Sequence, residues 1–375
     1  DGEGGWLRAT CEYNACAGDA EIHGMDVFAV TWTGGSANIT AVKAKLDSGS
    51  GTFNLKVNPT TNAILEDSEV EGDIIAHIRS EDLDLDLSDG DGIQSVSSYG
   101  NPGWNLYRQA TTSKRPEYND SGGLNSLSYM NFDGSDHALP VYTGVSEWVA
   151  DEFWTMAVVV ATVNATQTDP IVGNTDLTQD AFLSLWGTSG SNHVIGNDED
   201  SYTQTADKLA SNQIRIVQGT STVSGGSTLG YVSEFVNGDE SYSDKSIDVT
   251  AGKYKFNTIS QQGRTYRGTV DYRNTEMQLH EFLMFEGSIT TDARQILEGY
   301  WANKYNLKGS LPATHPYKTT SPSVPTYDLA SDITLASTYG TAVSTSISIN
   351  TGDQIVLYVP KQQDAGTLTA ELTVT

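Results

Sequence analysis

The densest group of chemically useful side chains is SEDLDLDLSDGDG, residues 80–92, which places Asp82, Asp84, Asp86, Asp89 and Asp91 close together. Ca²⁺ takes about six to eight oxygen ligands, and Asp84, Asp86, Asp89 and Asp91 are the carboxylates that could supply several of them. The twelve-residue helix-loop-helix calcium template does not fit, because the required Gly and terminal Glu fall at the wrong positions. If the run is extended, Asp82, Asp84 and Asp86 share one face and Leu83, Leu85 and Leu87 the other. That alternation predicts an ordinary half-buried strand, with a calcium site as the alternative.

A second acidic run, GNDEDSY, contains Asn197, Asp198 and Tyr202 and reads as a loop tip. Carbohydrate binding needs aromatic faces for the apolar side of a sugar ring, with amides and carboxylates for its hydroxyls. Trp104, Tyr107 and Trp186 supply rings near turns, and Asn197, Asp198 and Tyr202 complete the candidate ligand-binding set. Trp148 and Trp154 are further aromatic candidates near turns; against each aromatic stands the commoner fate of a core side chain, and Trp301 on the expected helix is read that way. Glycoside hydrolysis requires two carboxylates about 5 to 9 Å apart. In EMQLHEFLMFEG, Glu276, Glu281 and Glu286 are spaced by five, so neighbours fall on opposite faces of a strand, and His280 reads as a lone surface histidine. There is no G-x-S-x-G elbow, phosphate-binding loop or H-E-x-x-H motif, so no enzyme is expected. The sequons at Asn38, Asn119 and Asn164 matter only in a secretory host.

The elements that must position these groups are mostly strands. VFAVTW, ANITAVKAKL and TFNLKVN alternate, with turn signals between them. TMAVVVATV is apolar enough to be buried on both faces, and FLSLWG, QIRIVQG, STLGYVSEFVNG, KYKFNTIS and QLHEFLMFEG follow. DITLAST, STSISIN, DQIVLYVP and LTAELTVT close the chain. One helix is predicted in SITTDARQILEGYWANKYNLKG: Thr290 or Thr291 caps it, Asp292 suits its positive end, and Ile296, Leu297, Tyr300 and Trp301 recur at helical spacing. Gly309, Pro312 and Pro316 bar its continuation. Residues 1–25 show no evident period and are expected to be an N-terminal arm lying on another surface, the chain's own or a neighbouring subunit's. Residues 26–70 and 325–375 are each too small to cover a core, which predicts that they pair as one discontinuous β-sandwich around a domain at 74–318, with a linker at 319–324.

The 375 residues carry 48 Asp and Glu against 21 Lys and Arg, a formal net charge of -27. Such a field repels nucleic acid and anionic membranes. No apolar run approaches the roughly 18 residues of a spanning helix and no leader opens the sequence, so a soluble chain without membrane insertion is expected. Cys11 and Cys16 allow two readings, a small disulfide-closed loop or two free thiols, and both stay open.

Three stretches carry a resemblance: DIIAHIRSEDLDLDLSDGDGIQSVSSYGNPGWNLYRQATTSKRPEYN, LNSLSYMNFDGSDHAL, and LHEFLMFEGSITTDARQILEGYWANKYNLKGSLPATHPYK. Together they resemble the concanavalin A-like, LamG-type jelly-roll domains of phage tail and bacterial surface proteins, most specifically in EGYWANKYNLKGSLPATHPYK. Where that family commonly has a Trp after the DGDG turn, this chain has Ser98 and Tyr99. The flanking GTFNLKVNPTT and NTGDQIVLYVPKQQDAGTLTAELTVT are similar to halves of a small β-sandwich repeat of phage virion proteins. The resemblance implies an all-β chain, a jelly roll with one C-terminal helix inserted in a small split sandwich. It also implies a tailed-phage tail fibre, spike or capsid decoration protein at the virion surface, contacting other virion proteins as a homo-oligomer, with a trimer favoured. Attachment to cell-surface glycan would be its function. The alternatives are a polysaccharide-degrading enzyme with a divergent site and a purely structural decoration protein.

Overall fold

A computed structural model describes residues 5–13, 25–31, 36–46, 51–57, 74–83, 87–97, 106–140, 148–149, 153–163, 171–173, 181–183, 192–197, 201–205, 212–224, 227–248, 255–266, 269–287, 289–322, 327–335, 342–349, 354–360 and 366–375. The chain is all-β, built from antiparallel sheets with one α-helix among these residues. It divides into two compact units, Asp1–Glu66 with Ser323–Thr375, and Asp67–Pro322.

The first unit holds two four-stranded sheets. One runs in the order Gly5–Tyr13, Gly366–Val374, Ala37–Leu46, Val343–Ile349, and the other Met25–Thr31, Gln354–Pro360, Gly51–Val57, Tyr327–Leu335. In both, strands from the two ends of the chain alternate, so each ladder joins an early strand to a late one. Leu55 faces Leu357 and Asn54 faces Tyr358. Of the expected N-terminal arm, the described residues Gly5–Tyr13 form an edge strand on the chain's own sheet, in continuous register with Gly366–Val374, from Gly5 opposite Val374 to Tyr13 opposite Gly366. An edge strand is held by backbone hydrogen bonds along one side, so it needs less apolar patterning than a core strand.

In the second unit an eight-stranded sheet has Phe153–Val163 and Glu276–Glu286 at its middle. The far edge of Glu276–Glu286 is shared, its start pairing with Tyr129–Asp133 and its end with Ile74–Arg79. Ala157 to Ala161 are all buried, as their unbroken apolar sequence requires. A six-stranded sheet runs from Leu139–Pro140 to Ser201–Thr205. The strand expected across the acidic run is also corrected: Ser80–Leu83 is a 3-10 turn with Leu83 fully buried, and Ser88 to Asp91 form an exposed turn.

The helix spans Thr291–Lys304, and the Thr290 side chain accepts the Ala293 amide at 3.2 Å. Ala293, Leu297, Trp301 and Ala302 form its buried stripe. No described helix is long and apolar enough to cross a membrane.

Candidate functional site

At the end of the strand Tyr129–Asp133 the chain turns through Gly134, whose φ is +72°; an added Cβ there would meet Glu276 Cβ at 2.8 Å. Asp133 Oδ1 accepts the amides of Ser135, Asp136 and His137 at 2.9, 3.3 and 3.2 Å. Burial works to raise the Asp133 pKa, but the Ser135 and His137 amides and the nearby imidazole outweigh it and hold the carboxyl below its ordinary value. One ligand atom each from Asp133, Asp136 and His137 lies within 4.8 Å of the others. They are close enough to address one small ligand together.

The hairpin of Gln261–Tyr266 with Thr269–Asn274 joins this turn. Asn274 Nδ2 donates to the His137 carbonyl at 3.0 Å, and two residues later Glu276 faces Asp133 across the ladder. Tyr272 shares the Asn274 face by strand alternation, about 7 Å along the strand. Its cross-strand partner is Gly263, which has no side chain to cover the ring, and Tyr272 is 52% exposed. It is the exposed large hydrophobic residue among those described. The hairpin that carries this open ring is thus tied through Asn274 to the turn that holds two carboxylates and an imidazole.

The residues singled out in the sequence fare differently. Tyr107, on Leu106–Arg108, is 3% exposed in the core, where burial pushes its phenol well above the ordinary range, so it offers no face to a sugar and that assignment is corrected. Asn197 and Tyr202 come together at one hairpin end, where Asn192–Asn197 pairs with Ser201–Thr205 and Gly196 faces Tyr202. Trp104, Trp186, Asp198, Asp84 and Asp86 lie outside the described residues. Asp91 Oδ2 accepts the Ser88 amide at 2.8 Å and Asp89 Oδ1 the Asp120 amide at 3.3 Å, so both stabilise loop backbone. Neither joins a third metal-ligating side chain among the described residues.

His280, read as a lone surface histidine, is fully buried, and so is Glu281 beside it. Glu281 Oε1 meets His77 Nε2 at 2.8 Å, while Oε2 accepts Lys304 Nζ at 2.9 Å and the Tyr305 hydroxyl at 2.8 Å. Lys304 also reaches Glu81 at 3.0 Å. Burial alone would raise the Glu281 pKa; Lys304, His77 and Arg79 instead hold it well below the carboxylate range. Burial would lower Lys304, but Glu281 and Glu81 hold it well above. With both oxygens engaged by protein groups, Glu281 clamps the helix end to the sheet. Glu234 with Arg215 at 2.5 Å, and Glu298 with Arg294 at 2.6 Å and His315 at 3.1 Å, are likewise buried and paired. The sequence signal was present: Leu279, Phe282, Leu283 and Met284 occupy both faces of the strand, so polar residues among them must be buried too.

No protein-family model matches the chain, nor does any curated protein. Among solved structures, domain 4 of AbnA, a GH43 extracellular arabinanase from Geobacillus stearothermophilus in complex with arabinotriose, is similar at 18% identity and TM-score 0.36, covering 60% of this chain and 97% of that one. An arabinofuranosidase complexed with arabinofuranosyl-alpha-1,2-xylobiose is similar at 10% identity and TM-score 0.42, covering 64% of each chain. The binding domain of Botulinum Neurotoxin DC in complex with SialylT follows at 14% identity and TM-score 0.29, covering 55% of this chain and 50% of that one. All three scores are too low to carry an argument.

Proposed function

We propose that the chain is a non-enzymatic carbohydrate-binding protein whose sugar contact centres on Tyr272. The observation that carries this is the Tyr272 ring, left open opposite Gly263 on the hairpin whose Asn274 holds the Asp133–His137 turn. A sugar ring stacked on the phenol would place hydroxyls toward Asp136 and His137. Carbohydrate ligands in the similar structures agree with this reading without carrying it.

Hydrolysis has one observation in its favour, since Asp133 and Glu276 are directly opposite and thus roughly 5 Å apart at Cβ. A general acid needs a raised pKa, whereas three backbone amides push Asp133 the other way. Binding without cleavage is therefore favoured. The wider assignment, a concanavalin A-like jelly roll displayed as an oligomer at the virion surface of a tailed phage, is supported by the resemblance of the segment from Glu298 to Lys318. Shallow sites would then gain avidity by repetition.

A glycan array probed with the full chain tests the reading. Wild type is expected to bind a limited set of glycans, and Tyr272→Ala to lose about 10-fold or more in apparent affinity, the scale of one stacking contact. Unchanged binding by Tyr272→Ala, or no binding by wild type, would overturn it.

A further inference from the structure

The segment Asp120 to Ser128 crosses the end of the helix in a strained conformation. Asn125 and Ser126 both have positive φ, 55° and 60°, a left-handed conformation that non-glycine residues hold where their surroundings favour it. Backbone bonds inside the segment, from the Gly123 amide to the Leu127 carbonyl, the Ser126 amide to Gly123 and the Leu127 amide to Leu124, shape the turn, and three contacts tie residues 124–128 to His280 and the helix end, two of them through His280. The Leu124 amide donates to His280 Nε2 at 3.1 Å, and His280 Nδ1 donates to the Ser128 carbonyl at 2.8 Å. The third is Asn125 Nδ2, which donates to the Lys304 carbonyl at the helix C-terminus at 2.9 Å. The two histidine contacts define one tautomer: Nδ1 must carry the proton, because the Ser128 carbonyl only accepts, and Nε2 must be bare, because the Leu124 amide only donates. Gly123 fits closely over the ring, and a Cβ there would lie 2.3 Å from His280 Cε1.

We infer that the segment Asp120 to Ser128 is an acid-released latch, held shut by neutral His280 and opened when that ring takes a second proton. A proton on Nε2 points at the Leu124 N–H, so the hydrogen bond becomes a donor-donor conflict, and the segment loses its fastening at Leu124, next to the two positive-φ residues. The surroundings oppose protonation until the medium is acidic: burial, with Lys304 adding to it, lowers the ring to about 4 against the Ser128 carbonyl and Glu281, which favour the charged form. The facing groups are Tyr129 at 5.9 Å and Tyr305 at 5.1 Å between ring centroids, Lys304 on the helix, and Glu281 on the same strand. The Ser80 hydroxyl holds the His280 backbone carbonyl at 3.0 Å and the Ser128 carbonyl at 2.7 Å, so strand and segment stay anchored at Ser128 while the part before it is freed.

Hydrogen exchange by mass spectrometry on the full chain, from pH 7 to pH 4 and corrected for intrinsic rates, tests this. Peptides covering residues 120–127 should lose protection at least 10-fold toward pH 4 while peptides of the central strands 153–163 and 276–286 hold theirs. His280→Gln, which cannot titrate, should show no pH-dependent step. Gly123→Ala, which displaces the segment from the ring, should be open already at pH 7. Protection of 120–127 that stays flat to pH 4 in wild type, or an equal step in His280→Gln, would overturn the latch. Should His280→Gln fail to fold, NMR titration of the wild-type imidazole decides: loss of the Leu124 amide's protection must track that titration, and loss at a different pH contradicts it.

Discussion

Glu281 is where a single side chain decides most about this molecule. Its carboxylate is buried and meets an imidazole, an ammonium and a phenol. Removing it leaves Lys304 largely buried with only the half-exposed Glu81 as partner. Breaking a buried pair from one side costs about 3 to 5 kcal/mol, so Glu281→Ala should lower the urea midpoint of the Asp67–Pro322 unit by that amount over the m-value. The pH dependence has a definite sign. His280 is lowered from 6.5 to about 4, so its contribution is full above the unfolded value and is lost as pH falls through this window. Glu281 is lowered below 4.5, so its contribution persists above that pH and disappears only in stronger acid. Thermal melts of wild type should therefore be level above about pH 6.5 and decline below it, with Glu281 adding a further decline in stronger acid. At this scale little was legible beforehand. The apolar neighbours of His280 signal burial, but the partners Lys304 and Tyr305 come from a helix that follows the strand by a turn, and no spacing rule pairs them. Tyr272 was overlooked because its exposure depends on Gly263 across the ladder, a register that the hairpin sequence does not state.

Among elements, the helix is the one whose sequence is most self-consistent. The cap at Thr290, the acidic first turn at Asp292 and the stripe through Leu297 and Trp301 agree, and the structure ends it at Lys304. Thr290→Ala should cost about 1 kcal/mol of stability through the lost cap. Gly299 gives a sharper test. On an exposed helix Ala would stabilise relative to Gly, but here the new Cβ would approach Tyr317 Cβ to 2.4 Å. Gly299→Ala should therefore destabilise, by about 1 to 3 kcal/mol in chemical denaturation. The strand Gly5–Tyr13 was harder to see. Leu7, Ala9, Cys11 and Tyr13 do alternate with Trp6, Arg8, Thr10 and Glu12, yet small and polar residues on an edge strand make a weak pattern. Ser80–Leu83 differs for the opposite reason: the Asp and Leu alternation begins at Asp82, yet Asp82 and Leu83 belong to a 3-10 turn, and Asp84 to Asp86 lie outside the described residues.

At the scale of the whole molecule, the alternation of early and late strands has a consequence for truncation. Every ladder in the two four-stranded sheets joins a strand before residue 66 to one after residue 323. A chain ending at Pro322 should lose the cooperative unfolding of the first unit, while the Asp67–Pro322 unit, with its own core, keeps its transition; two-step melting of the full chain against one step in the truncated chain checks this. The net charge of -27 sets up a field that repels polyanions and is compatible with neutral sugars. The all-β class was legible from β-branched runs and turn residues. The proposed ligand site was not, because the Asp133–His137 turn and the strand carrying Tyr272 and Asn274 are far apart in sequence and are joined only through the ladder and the Asn274 hydrogen bond. The most direct measurement is a crystal of the full chain soaked with a glycan that it binds on an array. The account predicts a sugar ring stacked on Tyr272 with hydroxyls bonded to Asp136 or His137 and the glycosidic bonds intact; sugar bound elsewhere with Tyr272 bare, or a cleaved glycan beside Asp133 and Glu276, would contradict it.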